Sequence, residues 1–310
     1  MDYTVTHTTH YRYESPVSES VMEVRLGPRN DPSQETSEFE LETTPAAALF
    51  EYVDAFGNDV HHFDITPPHQ ELLIRTRLRV RKSAGRTVPE RLDSTAWDAL
   101  ARVRADGQLW DSFEPSPRVP VSAAVREFAS ACGLVRGSDP LTLCRRIVSA
   151  VHGALVYAPR STTVDTPIDA VLETRRGVCQ DFAHVALALV RAHGIPCRYV
   201  SGYLAPRDEH AADRNLTSHA WIEAWLPGLE WTALDPTHDR LAGERYISVA
   251  VGRDYSDAAP TRGVLRGAPA GTLSVSVRIE QDSGLASAGE MRFPTPAVSP
   301  KRETVAQREQ

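Results

Sequence analysis

Hydrophobic and polar residues alternate along two stretches near the start of the chain. Within residues 71–82, ELLIRTRLRVRK, four apolar side chains stand at even positions and four arginines at odd positions. Residues 3–13 alternate in a similar way. A period of two is typical of a strand with one buried face, and the Phe-Gly-Asn-Asp stretch at 56–59 predicts a hairpin turn. Several short strands with turn signals predict an antiparallel β-sandwich, with the arginines on its solvated face.

Helical spacing begins after a polar connector at residues 83–93. Residues 139–155 open with Asp and Pro, which favour a helix start, and continue with apolar residues three and four positions apart. A second apolar stripe runs through residues 178–190, and Gly194 predicts the end of that helix. Helices and strands are expected to alternate from there to about residue 260.

Composition narrows the functional classes. The chain has 310 residues, of which 41% are hydrophobic and 24% are charged, and its formal net charge is −7. This mild acidic excess argues against nucleic-acid or anionic-membrane binding. We find no secretory signal and no apolar run long enough to span a membrane. The four scattered cysteines lack CxxC pairing, which favours a reduced, cytoplasmic setting.

These patterns together predict an α+β protein in which an antiparallel β-sandwich precedes a region of helices and strands. The expected units are a sandwich domain (1–83), a linker and helical connector (84–125), a second domain ending in a strand at 272–281 (126–281), and a disordered tail (282–310).

A cysteine stands at the start of the helix predicted over residues 178–190. Cys179 lies at or just before the first turn, two residues after Gly177. A thiol there faces unpaired backbone N–H groups and the positive end of the helix dipole, which stabilises a thiolate by roughly 0.3–1 kcal/mol. Because this effect is modest, a nucleophilic role requires a nearby imidazolium. The alternative is a buried, inert cysteine.

A second segment contributes the other candidate groups. Residues 218–237, SHAWIEAWLPGLEWTALDPT, form two alternating runs around a Pro-Gly pair, which predicts a β-hairpin. If Trp225 pairs with Trp231, then His219 and Asp235 lie on one face as diagonal neighbours within side-chain reach. A register slip of a single residue would place the two on opposite faces. A thiol, an imidazole that takes its proton and a carboxylate that orients the imidazole are the groups needed for nucleophilic acyl transfer.

The same segments carry a family resemblance. GVCQDFAHVALALVRAHGIPCRYVSGYL, SHAWIEAWLPGLEW and LDPTHD resemble the transglutaminase-like superfamily, in particular its bacterial members. HTTHYRY and FGNDVHHFDI resemble the β-domain that precedes that core, and YISVAVGRDYSDAAPTRGV is also similar, so the resemblance covers about residues 1–280. It implies a papain-like cysteine core in which the helix that bears the cysteine packs on an antiparallel sheet. In that core Cys179 would be the nucleophile, His219 the general base and acid, and Asp235 the orienting acid.

The resemblance leaves the reaction open. The superfamily includes calcium-dependent transamidating enzymes, peptidases, amidases and inactive relatives, and all three triad positions are filled here. The animal crosslinking enzymes place a Trp after the nucleophile, whereas this chain has Gln180. We therefore expect hydrolysis of a peptide, protein or other amide, with acyl transfer to an amine as the alternative. The absence of an EF-hand-like sequence gives no support to calcium dependence.

Four further residues are secondary site candidates. Gln180 is a candidate for the second oxyanion donor. Trp221 flanks His219 and is expected either to shield the site or form a substrate wall, or only to pack in the hairpin. Asp181 and His184 lie one helical turn apart and are expected either to border the cleft or to serve in capping and packing.

Two rival interpretations remain. The first is a metal-dependent enzyme. The chain has eleven histidines but no HExxH pattern, so we expect no metal and no cofactor. The second rival is a non-catalytic binding protein or scaffold.

In the enzyme interpretation, the polar connection at 205–217 is expected to gate or select substrate.

Overall fold

The computed structural model describes residues 1–206, 218–267 and 270–282. Within these ranges the chain forms fifteen strands and seven helices. The strands are β1 (Asp2–Val17), β2 (Glu19–Val24), β3 (Gln34–Thr44), β4 (Phe50–Val53), β5 (Asp59–Ile65), β6 (His69–Lys82), β7 (Val156–Tyr157), β8 (Arg176–Gly177), β9 (Cys197–Leu204), β10 (Ser218–Leu226), β11 (Glu230–Asp235), β12 (Arg240–Leu241), β13 (Tyr246–Gly252), β14 (Thr261–Arg266) and β15 (Gly271–Gln281). The helices are α1 (Ala96–Ala105), α2 (Trp110–Phe113), α3 (Ala123–Ala131), α4 (Pro140–Ala154), α5 (Ile168–Thr174), α6 (Cys179–Ala192) and α7 (Tyr255–Ala258).

Two four-stranded sheets form the N-terminal sandwich. Their strand orders are β15-β1-β6-β3 and β14-β2-β5-β4, and every pairing within them is antiparallel. Apolar residues from both sheets meet in one core that includes Val17, Phe63, Leu72 and Ile74. Burial alternates along β6 as its sequence predicts. The predicted antiparallel β-sandwich is therefore confirmed.

Two strands of this sandwich come from the far end of the described chain. The strand predicted over 272–281 is present as β15, but it pairs with β1, with Val5 opposite Ile279. Strand β14 pairs with β2 in the other sheet. These strands thus lie in the sandwich sheets and not in the second domain to which the sequence pattern assigned them, because periodicity identifies a strand but not its partner. We propose that the sandwich domain combines residues 1–82 with 261–281, while the other domain limits stay predictions. The predicted tail lies outside the described residues except for Asp282.

The arginine stripe of β6 is matched by a glutamate stripe on β3. In the antiparallel register, each of the four arginines stands opposite a glutamate of β3: Arg75 with Glu42, Arg77 with Glu40, Arg79 with Glu38, and Arg81 with Glu35. Opposite charges at paired positions of one sheet face stabilise the pairing modestly. The stripe is thus balanced along its length by acidic neighbours, which explains how a chain of net negative charge carries four arginines in a row on one face.

The second domain packs a helix on an antiparallel sheet, as predicted. Its sheet has the order β12-β11-β10-β9-β13. Alternate residues of β10, among them Ala220, Ile222 and Ala224, are buried in one core with the apolar side of α6. Asp139 caps α4 by accepting the N–H of Thr142 at 2.9 Å, as its position before Pro140 predicts.

The sandwich and the core sheet share an apolar contact. Tyr3 and Val80 from the first sandwich sheet pack with Tyr203, Ile247 and Val249 of β9 and β13. The buried stripe of β1 and β6 therefore serves two partners along its length, the second sandwich sheet and the core sheet. None of the described helices combines the length and the apolar character needed to cross a membrane.

Candidate active site

The start of α6 is fixed by a carboxylate cap. Cys179 is the first residue of the helix, as predicted. The Oδ2 atom of Asp181 accepts the backbone N–H of Val178 at 2.7 Å and the hydroxyl of Thr162 at 2.7 Å. A β-carbon added at Gly177 would lie 2.7 Å from the Cβ atom of Asp181. Glycine thus allows the chain to pass close to the cap and to present Cys179 at the tip of the helix.

The four cysteines differ in their surroundings. Cys179 is partly exposed and Cys132 is exposed, whereas Cys144 and Cys197 are buried, and none forms a disulfide. Burial raises the pKa of Cys197 to about 12 and that of Cys144 well above its ordinary value. The two buried thiols are therefore held in the protonated form.

The hairpin of β10 and β11 has the predicted register. Trp225 pairs with Trp231, and Ile222 with Leu234. With this register, the Nε2 atom of His219 lies 2.8 Å from the Oδ2 atom of Asp235. The prediction that the two side chains share a face and come within reach is confirmed.

The thiol completes the series. Interaction with the side chain of Cys179 raises the pKa of His219, so the sulfur lies near the imidazole ring. Because Nε2 of that ring faces Asp235, Nδ1 is the nitrogen left for the sulfur. The structure thus brings together the three predicted side chains from a helix tip and two strands, in the order thiol, imidazole, carboxylate.

The charge state of His219 follows from two opposing effects. The residue is 8% exposed, and burial disfavours its charged form. Its hydrogen bond to Asp235 and its interaction with Cys179, together with the negative charge of these partners, outweigh burial and raise the pKa of His219 to about 9. The site therefore favours an imidazolium beside the carboxylate at neutral pH.

Asp235 is fully buried and has hydrogen-bond donors at both oxygens. Its Oδ2 atom accepts the hydroxyl of Tyr246 at 2.7 Å and lies 2.7 Å from the Nδ1 atom of His238. Its Oδ1 atom accepts the backbone N–H groups of Thr237 and His238 at 2.8 and 3.2 Å. The Nε atom of Arg240 donates to the Tyr246 oxygen at 3.0 Å. Burial opposes ionisation, but the bonds from His219, His238 and Tyr246 hold the pKa of Asp235 well below its ordinary value.

Sequence reasoning missed His238 and Tyr246 as members of the site. His238 follows Asp235 by three residues in Asp-Pro-Thr-His, and this turn-like spacing is a signal that would have found it. Tyr246 comes from the start of β13, eleven residues after the aspartate. No local pattern points to it, because its contact depends on the strand order of the sheet.

Two secondary candidates have defined surroundings. The ring of Trp221 stacks on His219 with 6.1 Å between centroids, meets Tyr246 edge-on at 5.3 Å, and is 1% exposed. It therefore packs against the imidazole and presents almost no surface to a substrate. Gln180 is buried, and its side-chain amide donates to the carbonyl of Val164 at 3.2 Å.

Asp181 and His184 have separate partners. Asp181 caps α6, whereas the Nε2 atom of His184 accepts the backbone N–H of Tyr255 at 3.1 Å. The His184 ring packs 5.2 Å from that of Tyr199, and burial lowers the pKa of His184 to about 4. These contacts agree with the alternative in which Asp181 caps the helix and His184 packs in the core. The predicted gating connection lies outside the described residues beyond Pro206.

Two imidazoles and one carboxylate also form a donor set for a metal ion. Candidate ligand atoms of His219, Asp235 and His238 all lie within 4.8 Å of one another. Two histidines and one carboxylate suit zinc or another divalent transition metal. The expectation of a metal-independent site stays a prediction, and chelation tests it.

Comparison with known proteins identifies both parts of the chain. Residues 3–81 match the bacterial transglutaminase-like N-terminal region, and residues 132–236 match the transglutaminase-like superfamily. An uncharacterised protein of Mycobacterium leprae is 36% identical over 280 residues, covering 89% of this chain and 97% of the relative. An uncharacterised protein of Mycobacterium tuberculosis is 37% identical over 278 residues, covering 85% and 87%.

An enzyme that matches over a short segment and a solved structure that matches over most of the chain are also similar to this protein. A protein-glutamine gamma-glutamyltransferase of Pseudomonas aeruginosa is 35% identical over 96 residues, which is 30% of this chain and 14% of the relative. A solved structure of a candidate cysteine protease from Cytophaga hutchinsonii covers 91% of this chain and 92% of its own, with a TM-score of 0.70 and 22% identity. This last likeness extends over both domains and concerns the fold.

Proposed function

The chain belongs to the transglutaminase-like superfamily, and on this premise we propose that it is a cysteine-dependent hydrolase of amide bonds, a peptidase or amidase. The residues proposed for catalysis are Cys179, His219 and Asp235. The observation that carries the proposal is the hydrogen-bonded pair of His219 and Asp235 beside Cys179 at the tip of α6, where Cys179 is partly exposed. The proposed substrate is a peptide, a protein or another amide.

The first half of the proposed reaction acylates the sulfur. In the reactive state the proton of Cys179 already resides on His219 as an imidazolium, and the thiolate sulfur attacks the amide carbonyl carbon to form a C–S bond. Negative charge then moves to the carbonyl oxygen, for which the first-turn backbone N–H of Cys179 is the proposed donor. The imidazolium gives its proton to the leaving nitrogen, the C–N bond breaks, and a thioester and a free amine remain.

The second half regenerates the thiol. His219, now neutral, takes a proton from water as the water oxygen attacks the thioester carbonyl carbon. The C–S bond breaks, the sulfur is reprotonated by the imidazolium, and a carboxylic acid leaves. Throughout, Asp235 holds the orientation of the ring and stabilises its positive charge, the role that a buried carboxylate has in such triads.

Acyl transfer to an amine is the second candidate function. The match to the glutamyltransferase of Pseudomonas aeruginosa favours it, whereas Gln180 in place of a tryptophan favours hydrolysis. Both reactions share the thioester and differ in what resolves it. Incubation with a candidate glutamine peptide and a labelled amine separates them: acid release in excess of amine incorporation supports hydrolysis, and the reverse excess supports transfer.

Reactivity of the sulfur is the direct test of an active site. At about pH 6, iodoacetamide should alkylate Cys179 faster than the exposed Cys132, because an imidazolium stabilises its thiolate. His219→Ala should slow that alkylation by about 10²- to 10⁴-fold and leave Cys132 unchanged. Equally slow alkylation of both cysteines in the native protein would favour the scaffold alternative.

Two further experiments extend this test. Incubation with a cell extract, followed by mass spectrometry, should detect an acyl group on Cys179 that is absent from Cys179→Ala, and its mass gives the substrate class. EDTA should leave the alkylation rate unchanged, and a lower rate that zinc restores would contradict metal independence.

We also propose a cytoplasmic location, which the four free thiols support.

A further inference from the structure

A cavity lies beside Trp221 and Tyr246, two residues whose rings pack against His219. It encloses about 270 Å³ between the sandwich and the core sheet. Its walls come from residues 31–33, from residues 82–88 after β6, and from strands β9 to β13. Trp221 and Tyr246 line it, but Cys179 does not. Among the described residues this space is therefore separate from the surface at which the thiol is exposed.

A buried ammonium group lines the cavity. Lys82, the last residue of β6, is only 5% exposed. Its Nζ atom donates to the hydroxyl of Ser33 at 3.1 Å, and that hydroxyl in turn donates to the Oδ1 atom of Asp31 at 2.7 Å. Within the described ranges no carboxylate oxygen lies within 4.0 Å of this Nζ atom, so the acid is reached only through the serine. Burial lowers the pKa of Lys82, against the opposing charges of Asp31 and Glu223.

The neighbouring basic side chains have partners, whereas Asp31 and Glu230 also line the cavity and form no ion pair among the described residues. The guanidinium of Arg198 forms an ion pair with Glu223 at 2.6 Å and lies over the ring of Trp231, 4.0 Å from its centroid. Arg86 donates to the carbonyl of Gly228 at 3.3 Å. Among the described residues, the ammonium of Lys82 has three N–H donors and one acceptor, and an unpaired buried charge is costly.

Apolar side chains form another part of the wall. Trp231, Leu229 and Leu241 add apolar surface to the cavity. A buried ammonium with spare N–H donors, set among aromatic and aliphatic side chains, suits a ligand that combines an anionic oxygen group with an apolar body.

We propose that this cavity binds a small organic carboxylate, whose oxygens pair with the ammonium of Lys82 and whose apolar body packs between Trp231 and the aliphatic wall. A carboxylate is favoured over an uncharged ligand because it supplies the counter-ion that the lysine lacks. The proposal concerns binding alone and does not depend on the activity of Cys179.

Tryptophan fluorescence and thermal shift provide the test. Phenylacetate should quench fluorescence saturably and raise Tm, whereas phenylacetamide, which has the same ring but no charge, should bind about 10- to 100-fold more weakly. Lys82→Met should remove this preference for phenylacetate, and Lys82→Arg, which keeps the charge, should retain it. Cys179→Ala should bind phenylacetate as the native protein does.

Five outcomes would overturn the proposal. Four of them are no saturable response to phenylacetate, equal affinity for phenylacetate and phenylacetamide, unchanged binding by Lys82→Met, and loss of binding in Cys179→Ala. Stronger binding of phenethylamine than of phenylacetate would likewise contradict it, because the cavity would then select a cation. The circular dichroism and Tm of each ligand-free variant establish that it is folded, and Lys82→Arg keeps the test decisive if Lys82→Met does not fold.

Discussion

His238 lies with its Nδ1 atom 2.7 Å from the Oδ2 atom of Asp235, the oxygen that also faces His219. Its backbone N–H donates to the other oxygen of the same carboxylate at 3.2 Å. A single residue thus holds both oxygens of Asp235. These contacts fix the orientation of the carboxylate that faces the imidazole of His219, so His238 is a positioning residue in the proposed enzyme.

Removal of this second imidazole should slow the reaction of Cys179. We expect His238→Ala to reduce the alkylation rate at neutral pH by about 2- to 10-fold, the effect of losing one hydrogen bond of about 0.5–1.5 kcal/mol. His238→Asn, whose amide can donate to Asp235, should recover most of the rate. Alkylation of Cys132 serves as the internal control, and a native rate in His238→Ala would contradict the positioning role.

Removal of the negative charge of Asp235 should have a larger effect. Asp235→Asn keeps the shape of the side chain but loses the charge that favours the imidazolium of His219. We expect alkylation of Cys179 at about pH 6 to fall by about 10- to 100-fold, as for the loss of a charge-assisted hydrogen bond. A change of less than twofold in a variant with native Tm would mean that the carboxylate does not support the ring.

The stability of the protein should depend on the titration of His219. Its pKa is raised to about 9 in the folded protein, above the value of about 6.5 for an unfolded chain. The stabilisation is therefore fully present below about pH 6.5 and is lost as pH rises through about 9, with a magnitude on the order of 3 kcal/mol. Urea unfolding from about pH 6 to about pH 10 measures it.

The matched variant for this measurement is His219→Gln, which has no titrating group at that position. The free energy of unfolding of the native protein should fall more steeply than that of the variant between about pH 6.5 and about pH 9, and the two curves should run parallel above that range. Parallel curves for the two proteins over the whole pH range would contradict the raised pKa of His219.

Gly202 is expected to be essential for the packing around the ring. It pairs with His219 across β9 and β10. A β-carbon there would lie 2.1 Å from the carbonyl oxygen of Ile247 and 2.7 Å from the indole ring of Trp221. Gly202→Ala should destabilise the protein by about 1–3 kcal/mol through overpacking and slow alkylation of Cys179, because Trp221 stacks on His219.

Gly153 provides the control for that substitution. It lies inside α4, and a β-carbon there would meet no atom within 4 Å. Gly153→Ala should leave the alkylation rate unchanged and stabilise the helix by up to about 1 kcal/mol. If both alanine variants have the same urea midpoint of unfolding as the native protein, the close approach at Gly202 does not contribute to stability.

Local pattern was sufficient for several parts of this protein. The period of two along β6 predicted its buried face, and the Pro-Gly pair between Trp225 and Trp231 fixed the hairpin register that brings His219 to Asp235. These features are encoded over a few residues, because alternation and turn geometry set which side chains share a face.

The sequence by itself determined the sandwich strands, the helix that begins at Cys179 and the proximity of an imidazole to a carboxylate. Only the tertiary structure decided that β15 pairs with β1, that Tyr246 donates to Asp235, and that Lys82 is buried beside a cavity without a carboxylate in contact. These contacts join residues that are distant in the chain or belong to different sheets. Their choice depends on strand order and burial, which no local period specifies.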